Sequence, residues 1–218
     1  MDLLITCGPA WEPLDGMRRL TNASTGRLGA VLADAFAEAG HRVTLFRGDM
    51  ATAPLPKAEV DVVPFGTNDD LAECLAGWPE NSRVDAVFHA AALCDFKAAK
   101  VRADDGTELS ARKLPTRSGR LTVELDPATK VLPRLREWFP FARIVGWKYE
   151  LDGGQEQALA AAWRQLKEAA TDACVLNGGA WGEGFALCEP PDRIHPCVGA
   201  AELTAALLAW LRQEPAVS

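Results

Sequence analysis

The chain predicts a three-layer α/β sandwich built on a mainly parallel sheet, and three observations carry that prediction. Apolar runs alternate with stretches of helical period along most of the length. Several runs, such as Leu3–Cys7 and Val84–His89, are almost continuously apolar with polar residues only at their ends, as in strands covered on both faces. Gly40 ends one helical stretch and Ala39-Gly40-His41-Arg42 leads straight into the next strand, as in a βαβ unit.

Taken in order, strands are expected at Leu3–Cys7, Arg42–Phe46, Val60–Pro64, Val84–His89, Leu121–Leu125, Arg143–Trp147 and Ala173–Leu176. Helices are expected at Arg27–Ala39, Asp69–Gly77, Lys130–Phe139, Glu156–Ala170 and Ala200–Gln213. Lys97–Gly119 is rich in Lys, Arg, Asp, Gly and Thr and shows no period. It reads as a long flap without regular structure, the kind of loop that usually serves a site. Ala180–Pro196, with Gly182, Gly184, Pro190 and Pro191, reads as a late hairpin before the last helix. No internal repeat or boundary divides the chain, so residues 1–218 are expected to form a single domain.

Composition narrows the function. Of 218 residues 24% are charged and the net charge is −7, so bulk charge draws neither nucleic acid nor acidic membrane to the protein. Any phosphate must be held locally. The six cysteines form no C-x-x-C pair and sit mostly in apolar runs, which reads as reduced thiols of a cytoplasmic protein. No leader pattern opens the chain, and no apolar run approaches the ~20 residues that span a bilayer. His41, His89 and His195 are scattered without ligand spacing, so no protein metal cluster is expected. Neither a G-x-S-x-G elbow nor a Gly-Lys-Ser/Thr phosphate loop is present.

The most informative feature is a displacement. A dinucleotide-binding fold places its glycine turn directly after the first strand. Here Leu3–Cys7 runs into Gly8-Pro9, and the turn arrives only later, as Asn22-Ala23-Ser24-Thr25-Gly26-Arg27-Leu28-Gly29. The fold is therefore expected to be Rossmann-like with an insert, Ala10–Thr21, carrying Trp11, Glu12, Asp15, Arg18 and Arg19. Ser24 or Thr25 is placed to cap the following helix, and Gly26 lets backbone approach a ligand at its positive end. Asn22 adds an amide donor suited to a carbonyl or phosphoryl oxygen. Arg18 and Arg19 suit phosphate or carboxylate; the competing reading is a solvated loop.

Further candidates lie at strand ends. Ala91 and Ala92 leave room in the crevice where open α/β sheets bind ligands, and Asp95 suits a base, a ribose or Mg²⁺, or else caps a turn. Within the flap, Lys113 gains a role only if the flap closes over a reacting phosphoryl group. Trp147 and Lys148 end one strand and Asn177 the next; core packing and turn formation are the bland readings.

These residues resemble a known family. Leu4-Ile5-Thr6, Gly8, Glu12-Pro13-Leu14-Asp15, Arg18 and Leu20–Gly29 resemble the opening of phosphopantothenoylcysteine synthetase. The likeness continues through Ala90–Phe96, Lys113-Leu114, Pro127–Leu132, Val145–Lys148, Asn177 and Phe185. It implies a ligase of coenzyme A biosynthesis that joins 4′-phosphopantothenate to cysteine through an acyl-nucleotide. The co-substrate would be CTP or ATP, with CTP the expected base, and Mg²⁺ would travel with the triphosphate. By the resemblance Asn22 contacts the activated acyl group, Lys113 serves activation, and Arg18 serves the acyl intermediate or substrate carboxylate. Nucleotide and substrate would be bound by Gly8, Ser24, Thr25, Gly26, Gly29, Ala91, Ala92, Asp95, Phe96, Lys130, Trp147, Lys148, Asn177 and Phe185. A homodimer is implied, and no flavin is expected in this chain. The sequence departs from the bacterial bifunctional pattern in lacking the several lysines that usually follow the flap lysine, where only Lys113 remains, and in carrying Asp126–Lys130 where a Lys-Asn-Pro-Asp stretch is usual. Trp147 also stands in the place of a Phe. The alternatives are an NAD(P)-dependent reductase, for which Arg47 would meet a 2′-phosphate, and a homologue that binds nucleotide without catalysis.

Overall fold

A computed structural model describes residues 1–79, 82–109, 114 and 119–213. Its frame is an eight-stranded sheet. Six strands run parallel: β1 (Asp2–Cys7), β4 (Arg42–Gly48), β5 (Asp61–Phe65), β6 (Ala86–His89), β9 (Arg143–Tyr149) and β10 (Ala173–Asn177). Their spatial order is β5-β4-β1-β6-β9-β10, the doubly wound order in which the chain reverses direction of growth between β1 and β6. Two antiparallel strands, β11 (Phe185–Glu189) and β12 (Arg193–Cys197), extend the β10 side as the expected late hairpin.

Both faces are covered, which is why these strands read as continuous apolar runs. Leu3, Ile5 and Cys7 of β1 pack with Val43, Phe88 and Val145 beneath α1 (Arg27–Glu38) and α5 (Ala200–Arg212). Leu4 turns the other way and joins Val87 and Ile144 beneath α2 (Asn68–Ala76) and α3 (Leu135–Trp138). On that same face, Cys174 and Leu176 meet Ala158, Ala162 and Leu166 of α4 (Gln155–Glu168).

Four expectations are corrected. The insert is not a plain loop: β2 (Trp11–Pro13) and β3 (Arg19–Thr21) pair as a small hairpin. The flap is not without regular structure, because β7 (Phe96–Ala103) pairs antiparallel with β8 (Leu121–Pro127) in a separate ribbon with a bulge between Ala98 and Lys100. Leu121–Leu125 is therefore a strand outside the main sheet. Its alternation of Leu121, Val123 and Leu125 with polar residues is the pattern of a ribbon exposing one face. The helix expected over Lys130–Phe139 shortens to a 3₁₀ turn, Leu132–Arg134, and the single turn of α3, with Pro133 in the first turn of the 3₁₀ segment.

The close contact of α1 with β1 has a sharp steric origin. A Cβ built on Gly29 would lie 2.1 Å from Cys7 Cβ, which no packing tolerates. Gly29→Ala must push the helix off the strand and should cost about 1–3 kcal/mol, the scale of overpacking a tight core. Thermal unfolding followed by circular dichroism should show a Tm lowered by several degrees; an unchanged Tm would contradict this packing.

Candidate active site

Gly8 and Gly26 meet at the carboxyl end of β1. Both have positive φ, 78° and 75°, and a Cβ on Gly26 would lie 3.3 Å from Gly8 Cα and 3.0 Å from Ala51 Cβ. With Gly29 they divide the work of a G-x-G-x-x-G turn, namely tight turn, close backbone approach and helix–strand packing. The chain between the first and second glycine is simply looped out as the β2–β3 hairpin. Gly26 itself is the N-cap of α1 and supplies no side-chain cap. Ser24 does not cap the helix, contrary to expectation, and Thr25 Oγ1 accepts the Arg27 N–H only at 3.3 Å. The helix start thus keeps donors and its positive end for an anion.

The basic residues of the insert are committed within the protein. Arg18 Nη1 donates to Asp15 Oδ2 at 2.6 Å and lies 3.5 Å from the Leu114 carbonyl oxygen. The Asp15 side chain is buried and also accepts the N–H groups of Leu114, Met17 and Arg18. Those bonds, led by that from Leu114, hold its carboxyl below the ordinary value, with the Arg18 charge adding to them. Arg19 stacks on Trp11 at 3.7 Å, and the Trp11 indole donates to Asp49 at 2.8 Å. Arg18 is thus a brace between insert and flap as well as a half-exposed cation. Lys113 lies outside the described residues.

The floor of the crevice is the segment after β6. Ala92 N–H donates to the Gly8 carbonyl at 2.9 Å and Ala10 N–H to the Ala92 carbonyl at 3.1 Å, so this segment continues the pairing of β1 with β6. Asn22 Nδ2 donates to the carbonyls of Ala92 (3.2 Å) and Leu93 (2.8 Å). Its donors are therefore engaged rather than presented to a ligand, and its Oδ1 has no partner among the described residues. Asp95 and Lys130, separate in sequence, form an ion pair. Phe96 beside them is 53% exposed.

Residues 1–190 match the family model of the DNA/pantothenate metabolism flavoprotein C-terminal domain. The chain belongs to that family. The coenzyme A biosynthesis bifunctional protein CoaBC of Thermococcus kodakarensis is 30% identical over 176 residues, covering 80% of this chain and 40% of that protein. The CoaBC of Mycobacterium tuberculosis is 32% identical over 191 residues, covering 85% and 43%. The chain thus spans under half the length of these relatives. Among solved structures, the DNA/pantothenate metabolism flavoprotein from Streptococcus pneumoniae superposes with a TM-score of 0.84 at 19% identity, covering 97% of this chain and 98% of that one. A Cab2 variant in complex with phosphopantothenate-cysteine superposes with a TM-score of 0.73 at 20% identity, covering 96% and 84%. Both show the same fold.

In this flavoprotein C-terminal domain the strand edge continues from β1 to β9, two strand spacings or about 10 Å away. Trp147 packs with Leu28 and Phe185 against the cluster beneath α1 and α5, and its buried indole N–H has no partner among the described residues. Lys148 follows it on the opposite face, where it pairs with Glu150 at 3.0 Å. Trp147 and Lys148 are thus parted across the sheet, although they adjoin in sequence. Asn177 ends β10, and its carbonyl accepts the Glu150 N–H at 2.9 Å. Among the described residues no three His, Cys, Asp or Glu side chains are grouped to hold a metal ion, and no helix is long and apolar enough to cross a membrane. Arg47 gives its Nη2 to the carbonyls of Ala51 and Ala53.

Sequence reasoning missed Thr6 and His89. Ala91 N–H donates to Thr6 Oγ1 at 3.2 Å, and the Thr6 hydroxyl shares a buried hydrogen bond with His89 Nδ1, 2.8 Å away, whose direction follows the ring tautomer. Thr6 lies in the Leu4-Ile5-Thr6 run, but no motif joins it to His89; the one signal was a polar residue near the end of each of two apolar strands. Burial pushes the His89 pKa down from 6.5 to about 4. Stability from the neutral ring is therefore complete above pH 6.5 and falls as pH drops toward 4, because the unfolded ring takes up a proton that the folded ring refuses. The loss should approach about 3 kcal/mol across that window. Denaturant unfolding of wild type and His89→Gln at a series of pH values checks this: the variant should lack that portion of the slope.

Proposed function

We propose that the chain is a phosphopantothenate–cysteine ligase of coenzyme A biosynthesis. The observation that carries this reading is the uncapped α1 start, held against the Gly8 turn and faced by the insert, in a chain of this family. Its CoaBC relatives are named for coenzyme A biosynthesis, and a neighbour of the same fold was solved with phosphopantothenate-cysteine. The chemistry suits such a corner. A carboxylate acylates poorly until its oxygen becomes part of a good leaving group. The carboxylate of 4′-phosphopantothenate would attack the α-phosphorus of CTP, or of ATP, and release pyrophosphate. The cysteine amine would then attack the acyl carbon, lose a proton and expel the nucleoside monophosphate.

Both steps develop charge on oxygens, so oriented donors and cations carry more of the rate than a protein nucleophile would. The N–H groups at the start of α1 would receive phosphate, and Arg18 or Lys113 would face the reacting anions. Asn22, with its amide nitrogen holding the Ala92 and Leu93 carbonyls, would shape the crevice wall beside the acyl intermediate. Magnesium would arrive with the triphosphate and neutralise its charge. The dinucleotide reading is weaker, because the β2–β3 insert separates the glycine turn from the end of the first strand.

The test is pyrophosphate release with each of the four nucleoside triphosphates, with and without phosphopantothenate, followed by cysteine-dependent amide formation. Turnover with CTP should exceed that with the others. Lys113→Ala should slow acyl-nucleotide formation by about 10²-fold or more, the scale of losing one charge-stabilising group. Asn22→Asp, which sets a carboxylate against two carbonyl oxygens, should lower turnover by a similar factor. Wild-type rates in both variants would overturn these roles.

A further inference from the structure

Asn68, the first residue of α2, is 1% exposed. Its Oδ1 accepts the Cys94 N–H at 3.1 Å, and its Nδ2 donates to the Cys94 carbonyl at 2.8 Å and to the Thr129 carbonyl at 2.9 Å. Two of these bonds address the N–H and C=O of one residue, as an adjoining strand would. A buried side chain thereby stands in for a missing strand edge, and a third bond ties in a distant loop. The residues that follow the two clamped points are Asp95 and Lys130.

Asp95 and Lys130 pair with each other, yet their side chains are 73% and 57% exposed. An ion pair that open to water is too weak and too costly in side-chain entropy to fix its own geometry. The backbones that carry it must be set by something buried. Asn68 is placed to do so, and the Ala128 N–H closes the same ring on the Asp95 carbonyl at 2.9 Å. Asp69, the next residue of α2, accepts the Thr129 hydroxyl and lies 3.7 Å from Lys97. No motif in the chain singles Asn68 out; its role rests on these bonds alone.

We propose that Asn68 is a positioning residue for nucleotide binding. By holding Cys94 and Thr129 it sets the separation of Asp95 and Lys130 at the ligand edge. The inference rests on the ligase reading, in which those two side chains meet the nucleotide.

The experiment compares wild type, Asn68→Ala, Asn68→Ser, Lys130→Ala and the Asn68→Ala/Lys130→Ala double variant in the ligase assay. Asn68→Ala should raise the KM for CTP about tenfold, with kcat and the KM for phosphopantothenate nearly unchanged, on the scale of coupling through a shared hydrogen-bond network. The double variant should lose clearly less than the sum of the two single losses, because Asn68 acts through the pair that Lys130→Ala already breaks. Asn68→Ser, which keeps a polar atom at the site, guards against a folding failure of the alanine variant and should shift the KM for CTP in the same direction by less. An unchanged KM for CTP, an equal loss in every kinetic constant, or additive effects in the double variant would overturn the proposal. Failure of the ligase reading looks different: wild type itself would release no pyrophosphate. Equilibrium dialysis with CTP then decides, since weaker binding by Asn68→Ala still supports the role of Asn68, and equal or absent binding by both proteins ends it.

Discussion

The approach of α1 to the end of β1 governs the rest of this molecule. Backbone comes that near only where no Cβ intervenes, and Gly8, Gly26 and Gly29 remove the obstacle at three successive points. The contact aims a helix start, with its unshared N–H groups and partial positive charge, at the crevice where the sheet reverses direction. In a protein of net charge −7, such a local concentration of donors is how an anion is held.

The insert between the first two glycines works within that constraint. Its ends are fixed by the glycine contact, so its length must be folded back on itself, and the β2–β3 hairpin does so. Its charges then serve as internal braces: Asp15 joins Arg18 to Leu114 of the flap, and Asp49 receives the Trp11 indole beneath Arg19. Asn22 fastens the end of the hairpin to the crevice floor. Polar residues that look like ligand contacts in the sequence thus also build the walls of the site. An amide or guanidinium has several donors and can do both.

Much of the architecture was legible because it follows from local pattern. The six parallel strands are apolar runs of strand length, and α1, α2, α4 and α5 keep a helical period. The ribbon was misread for a physical reason: β7 and β8 find each other across a long sequence gap, and Phe96–Ala103 has too few large apolar residues to announce a strand by itself. The short α3 was overextended because apolar spacing continues through Pro133, while proline's missing N–H does not register in spacing. At the site, the glycines and Ala91-Ala92 were readable from chain chemistry. Trp147 and Lys148 adjoin in sequence, yet they face opposite sides of the sheet, as successive strand residues do.

By itself the sequence determined the layered α/β class, the displaced glycine turn and the edge of the sheet on which the candidate residues gather. These depend on residue type and near-neighbour spacing. Only the tertiary structure decided which polar side chains remain free. Asn68, Thr6 and His89 acquire their roles from partners far along the chain, through hydrogen bonds whose energy depends on distance, direction and burial. None of those quantities exists until the chain has folded.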